Sequence, residues 1–120
     1  MSQRARILAT SGTAVIANGG TTIAASPYVN GLVRAIYINA PALTSTNTYT
    51  VALVGSNSGQ TLFSKASLTA NAVTNIMIDA NNYPLQVPID EGCEITITSS
   101  GTEGAARTFT WGLSVDRGAM

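Results

Sequence analysis

Short runs in which apolar and polar residues alternate, each closed by a turn signal, constrain this chain more than any other feature. The clearest is 107–116, with Phe109, Trp111, Leu113 and Val115 on one face and Thr108, Thr110, Gly112 and Ser114 on the other. Successive side chains of a strand point to opposite faces, so this run reads as a half-buried β-strand. The same period governs 48–54, where Tyr49, Val51 and Leu53 alternate with Thr50 and Ala52, and 94–99, where Ile95 and Ile97 alternate with Thr96 and Thr98. Shorter strands are expected over 60–65 and over 73–79, the latter with Ile76 and Ile78 on one face. The run 32–39 is apolar on both faces, with Leu32, Ile36 and Ile38 on one and Val33, Ala35 and Tyr37 on the other. Such a strand is expected to be covered by protein on both sides. No helical i, i+3, i+4, i+7 stripe lasts beyond one turn.

Turn signals fall between these runs, among them Asn39-Ala40-Pro41, Gly55 to Gly59, Asn81-Asn82-Tyr83-Pro84, Asp90-Glu91-Gly92 and Ser100-Gly101. Strands at roughly 8–12-residue spacing with such punctuation mark an all-β sandwich or barrel. The fold class expected is an antiparallel β-sandwich, a jelly roll, with an immunoglobulin-like sandwich as the nearest competitor. Residues 1–30 differ from the remainder. Asn18-Gly19-Gly20 is a turn signal because Asn and Gly tolerate positive φ, and it joins candidate strands at 13–17 and 21–25 in a hairpin. An extended arm reaching a neighbouring subunit is the other reading of this segment. The expected organisation is therefore an N-terminal arm or hairpin over 1–30 and a sandwich domain over 31–120.

What the chain lacks narrows its chemistry. Among 120 residues there is no histidine, one cysteine and only twelve charged side chains, six of each sign. Histidine is the usual source of a group that titrates near neutrality, so enzymatic catalysis is not expected. A net charge of zero gives no electrostatic reason to bind nucleic acid or an anionic membrane. No apolar run approaches the roughly 18 residues of a membrane-spanning helix. The apolar patch after Arg4 and Arg6 is broken by Thr10, Ser11, Gly12 and Thr13, too early for a secretory signal. Soluble surfaces normally carry about a quarter or more charged residues, and this composition falls far short. The economical resolution is that much of the surface faces other protein.

Asp90, Glu91 and Glu94 supply carboxylates for glycoside hydrolysis, but they cluster at a turn and read as solvated. Asp79, Asn81 and Asn82 fall short of the six to eight oxygens calcium takes. Cys93 has no histidine to activate it and reads as a small buried hydrophobe. Lys65 is the chain's single lysine and hence the single candidate base for a serine nucleophile; it sits at a strand end. Trp111 belongs to the alternation of its strand and reads as core. No catalytic, metal or cofactor site is expected, and no cofactor. Arg4, Arg6, Ile7 and Leu8 are candidates for docking a partner, and Tyr28 and Tyr83, in loops, are candidate exposed interface aromatics.

Four stretches carry a resemblance: Ala-Ile-Tyr-Ile-Asn-Ala-Pro at 35–41, Thr-Tyr-Thr-Val-Ala-Leu at 48–53, Leu-Gln-Val-Pro-Ile-Asp-Glu-Gly at 85–92, and Thr-Phe-Thr-Trp-Gly-Leu-Ser-Val-Asp-Arg-Gly at 108–118. Together they make residues 31–118 resemble small β-sandwich virion proteins of tailed bacteriophages. The resemblance implies a non-enzymatic capsid cement or decoration subunit, a homotrimer on the capsid exterior, assembled in the host cytoplasm with the major capsid protein as partner. It implies no nucleic acid, membrane or small-molecule substrate. The competing expectation is a receptor- or glycan-binding head of a fibre, spike or baseplate, for which Asn81-Asn82-Tyr83 is the pointer.

Overall fold

The computed structural model describes residues 5–27, 30–90 and 92–119. Among the described residues, nine strands form two antiparallel sheets: β1 (Ala5–Ile16), β2 (Thr22–Ala25), β3 (Gly31–Asn39), β4 (Tyr49–Gly55), β5 (Thr61–Leu68), β6 (Val73–Ile76), β7 (Val87–Ile89), β8 (Cys93–Ser99) and β9 (Arg107–Ala119). The first sheet runs β1-β9-β3-β6, with β7 also pairing β3; the second runs β2-β8-β4-β5. The chain changes sheet at every connection except β4–β5 and β6–β7. This interleaving of two four-strand orders is the jelly roll, in place of its immunoglobulin-like competitor.

The alternation read from the sequence decides which side of each strand is buried. In β4 and β8 the buried set is Tyr49, Val51 and Leu53, and Cys93, Ile95 and Ile97; in β9 it is Phe109, Trp111, Leu113 and Val115. The Tyr49 and Phe109 rings meet edge to face across the two sheets, with centroids 5.3 Å apart at 62°. Such a pairing adds about 0.5–1.5 kcal/mol beyond the area it buries.

Strand β3 departs from the expected two-sided burial, and the cause is a bulge. Its register with β9 runs Val33↔Val115 and then Ala35↔Ser114, so Arg34 is an extra residue. One extra residue moves every later side chain to the other face. Val33, Ile36 and Ile38 therefore all point into the core, while Tyr37 stays 39% exposed. The run looks apolar on both faces because its alternation slips once.

Two further expectations change. The strand foreseen over 73–79 ends at Ile76; Ile76 is buried but Ile78 is exposed, because the chain leaves the sheet there and makes a tight excursion to Pro84. The Asn18-Gly19-Gly20 turn carries the chain from one sheet to the other instead of closing a hairpin. β1 pairs β9 along its length and β2 pairs β8, and Ala14 and Ile16 join the common core. A strand not foreseen, β7, buries Val87 and Ile89 on the same face as Leu85. Its exposed Pro88 is tolerated because β7 lies at a sheet edge.

Candidate functional site

Among the described residues, no group of three or more His, Cys, Asp or Glu side chains lies close enough to hold a metal ion. Cys93 is fully buried, and burial pushes its thiol pKa up, away from the reactive thiolate. Asp79 closes a turn. Its Oδ1 accepts from the backbone N–H of Asn81 at 2.8 Å and of Tyr83 at 3.1 Å.

The buried charge in the described structure is Glu103, which the sequence reading passed over. It sits in the β8–β9 loop with no exposed surface. Oε1 accepts from Thr44 N at 2.8 Å and Arg107 Nε at 3.0 Å. Oε2 accepts from Asn47 Nδ2 at 2.7 Å and Ser99 Oγ at 2.6 Å. Its backbone joins in: Gly19 N donates to Glu103 O at 2.8 Å, and Glu103 N donates to Gly20 O at 3.0 Å. Burial opposes the charge, yet the hydrogen bonds from Ser99, Asn47 and Thr44 outweigh it and bring the carboxyl from an ordinary 4.5 down to about 2. Every strong acceptor position is used, so the residue is a clasp for three loops at one end of the sandwich and not a base awaiting substrate. The one sequence signal was an acid isolated between Gly101 and Gly104, four residues before an arginine.

The surface feature that stands apart is the outer face of the first sheet. Register places Ser11, Gly112, Tyr37 and Asn75 in one row across β1, β9, β3 and β6, and Thr13, Thr110, Asn39 and Val73 in the next. No Asp, Glu, Lys or Arg lies in either row. The first charges on this face are Arg34 and Asp116, and they neutralise each other through a 2.8 Å ion pair. Val73 is 66% exposed and Val15, further along β1, is 42% exposed. Gly112 leaves room for Tyr37, whose ring edge lies 3.6 Å from where a Cβ would stand. Beside it is an open, apolar-lined depression of about 280 Å³ bordered by Ser11, Tyr37, Val73 and Gly112.

Some of the docking candidates fall on described elements. Arg4 and Tyr28 lie outside the described residues. Arg6, Ile7 and Leu8 lie on β1, with Ile7 and Leu8 opposite Asp116 and Val115; only their backbone is described. Tyr83 is 67% exposed on the excursion after β6, together with Met77 and Ile78. β1 and β6 end opposite sides of the first sheet, three strand spacings or about 14 Å apart.

No family model and no curated protein matches the chain. Among solved structures, VP2 of infectious bursal disease virus in a subviral particle is similar over 94% of this chain at 16% identity, with a TM-score of 0.42. The Gt strain of the same virus gives 15% identity over 94% at a TM-score of 0.41, and virus-derived T=1 particles give 15% over 94% at 0.38. The chain spans about a third of the length of those proteins, 33%, 32% and 32% respectively.

Proposed function

We propose that this protein is a non-enzymatic virion structural subunit, a capsid cement or decoration protein that bridges neighbouring shell subunits from the capsid exterior. The observation that carries the reading is the pair of uncharged rows across the outer face of the first sheet. A soluble monomer gains nothing from two consecutive rows without a charge, whereas a contact surface depleted of charge at its centre is what protein interfaces favour. The resemblance at 31–118 supplies the homotrimer and the major capsid protein as partner. Three weak contacts acting together raise avidity by roughly 10²–10⁴ over one, so modest Ser, Thr and Asn contacts suffice to hold a shell.

The test is co-sedimentation with purified shells, with mass measured beforehand by light scattering. A trimer that pellets with shells and raises their melting temperature supports the reading; protein that stays in the supernatant at every shell concentration overturns it. Arg4 and Arg6 are tested by joint replacement with Ser, which should weaken pelleting and leave the fold intact.

A second reading, a glycan- or receptor-binding head, is favoured by one observation. Tyr83 projects beside Asn81 and Asn82 from a turn pre-organised by Asp79. Binding on a glycan array that is lost in Tyr83→Ala would establish it.

A further inference from the structure

We infer that the outer edge of β1 is a strand-addition site, and that its occupant is β1 of a second copy of this chain, paired antiparallel about a dyad at Ser11. The first sheet then continues from one molecule into the next.

A strand with a neighbour on one side only leaves half its backbone N–H and C=O groups facing outward. For β1 every strand pairing runs to β9, and among the described residues no other backbone hydrogen bond reaches it. Edges of free proteins are normally blunted by shortness, lysine, proline, bulges or a covering element. The other edges here follow that rule. β2 and β6 have four residues each and β7 three with Pro88 in the middle, while β5 carries Lys65 and two register irregularities. β1 carries such a device only at its start, a register irregularity with β9 between Ala5 and Ile7. It is twelve residues long, carries one charge (Arg6) and no lysine or proline, and keeps unbroken register with β9 from Ile7 to Ile16.

The same features select the occupant. Antiparallel partners that share a sheet face must pair positions of like parity. A dyad on Ser11 meets this by setting Thr13 opposite Ala9 and Thr10 opposite Gly12 across 7–15 of each copy. The paired stretch holds no charge, so nothing in it repels its own copy, and nothing in it offers a complement to a charged foreign strand. Small side chains at 9 to 14 let the two strands lie flush. The contact is isologous, the commonest way for one patch to be satisfied, and the uncharged rows of the outer face extend across it. The inference concerns the edge alone and holds whether the copies are monomers or the trimers proposed above, and whether or not a capsid is the partner.

The experiment compares wild type, Ser11→Lys, Ser11→Glu and a 1:1 mixture of the two variants by light scattering. Ser11 is exposed, so either charge is accommodated in the separate subunit but meets its own kind at the dyad. Each variant alone should have at most half the wild-type mass, and mixing should restore it. Equal masses throughout, or a mixture that stays small, would overturn the inference. Hydrogen exchange on wild-type protein gives an answer independent of the variants' folding. Outward-facing amides of 7–15 should be protected at high protein concentration and exchange at least tenfold faster on dilution; concentration-independent exchange would equally overturn it. Neither measurement involves shells, so its failure is separable from failure of the cement reading.

Discussion

At the residue scale the fold depends on two side-chain fits. Glu103 holds five donors on five residues, counting its backbone partner Gly19. Removing one member of a buried charged network leaves the rest uncompensated, at about 3–5 kcal/mol, so Glu103→Ala should lower the melting temperature by ten degrees or more. The pH dependence has a definite sign. The folded carboxyl sits near 2 against an ordinary 4.5, so the unfolded chain takes up the proton first. The contribution is complete above about pH 4.5 and is lost as pH falls towards 2. Melting temperatures of wild type should therefore fall across that window, and those of Glu103→Gln should fall less. Gly12 is the second fit: a Cβ there would stand 2.8 Å from Trp111 Cζ2. Gly12→Ala should cost about 1–3 kcal/mol through overpacking, with a shift in emission of the chain's one tryptophan as the local readout.

At the element scale the bulge in β3 is the part most easily tested. Deleting Arg34 would leave Val33 opposite Val115 and Ala35 opposite Ser114, as they already are, and would remove a partly exposed ion pair worth about 0–1 kcal/mol. That deletion should keep cooperative unfolding and the β signature in circular dichroism. Deleting Tyr37 instead would turn Ile38 outward, and cooperative unfolding should be lost. The contrast separates a bulge from an ordinary strand position. The excursion after β6 follows the same logic: Ile78 fits the period of a strand, but the sheet offers it no neighbour beyond Ile76.

For the whole molecule, the first strand belongs to the common sheet, and that changes what truncation should do. Removing residues 1–10 would strip the backbone partners of Leu113 to Asp116 and uncover one side of β9. The truncated chain should melt at lower temperature and expose apolar surface to a dye such as ANS. A truncated chain that melts like wild type would show that this half of β1 adds little to the fold.

The sequence by itself determined the class of fold and most of the core. A period of two is written directly into residues such as Val51, Ile97 and Phe109, because a strand with one buried face must alternate. Local turn chemistry likewise marked where strands stop. Sheet membership was not legible, because it depends on which backbone edges meet far along the chain, as Asn39 meets Val73 and Ala5 meets Ala119. The same holds for the slip at Arg34, which only pairing with β9 reveals, and for Glu103, whose donors at Thr44, Asn47 and Ser99 converge only in the folded chain. Nor could composition say where the missing charge was missing. The tertiary structure gathers the uncharged positions of β1, β9, β3 and β6 onto one face and leaves β1 at its edge, since a face and an edge exist only once strands are ordered into a sheet.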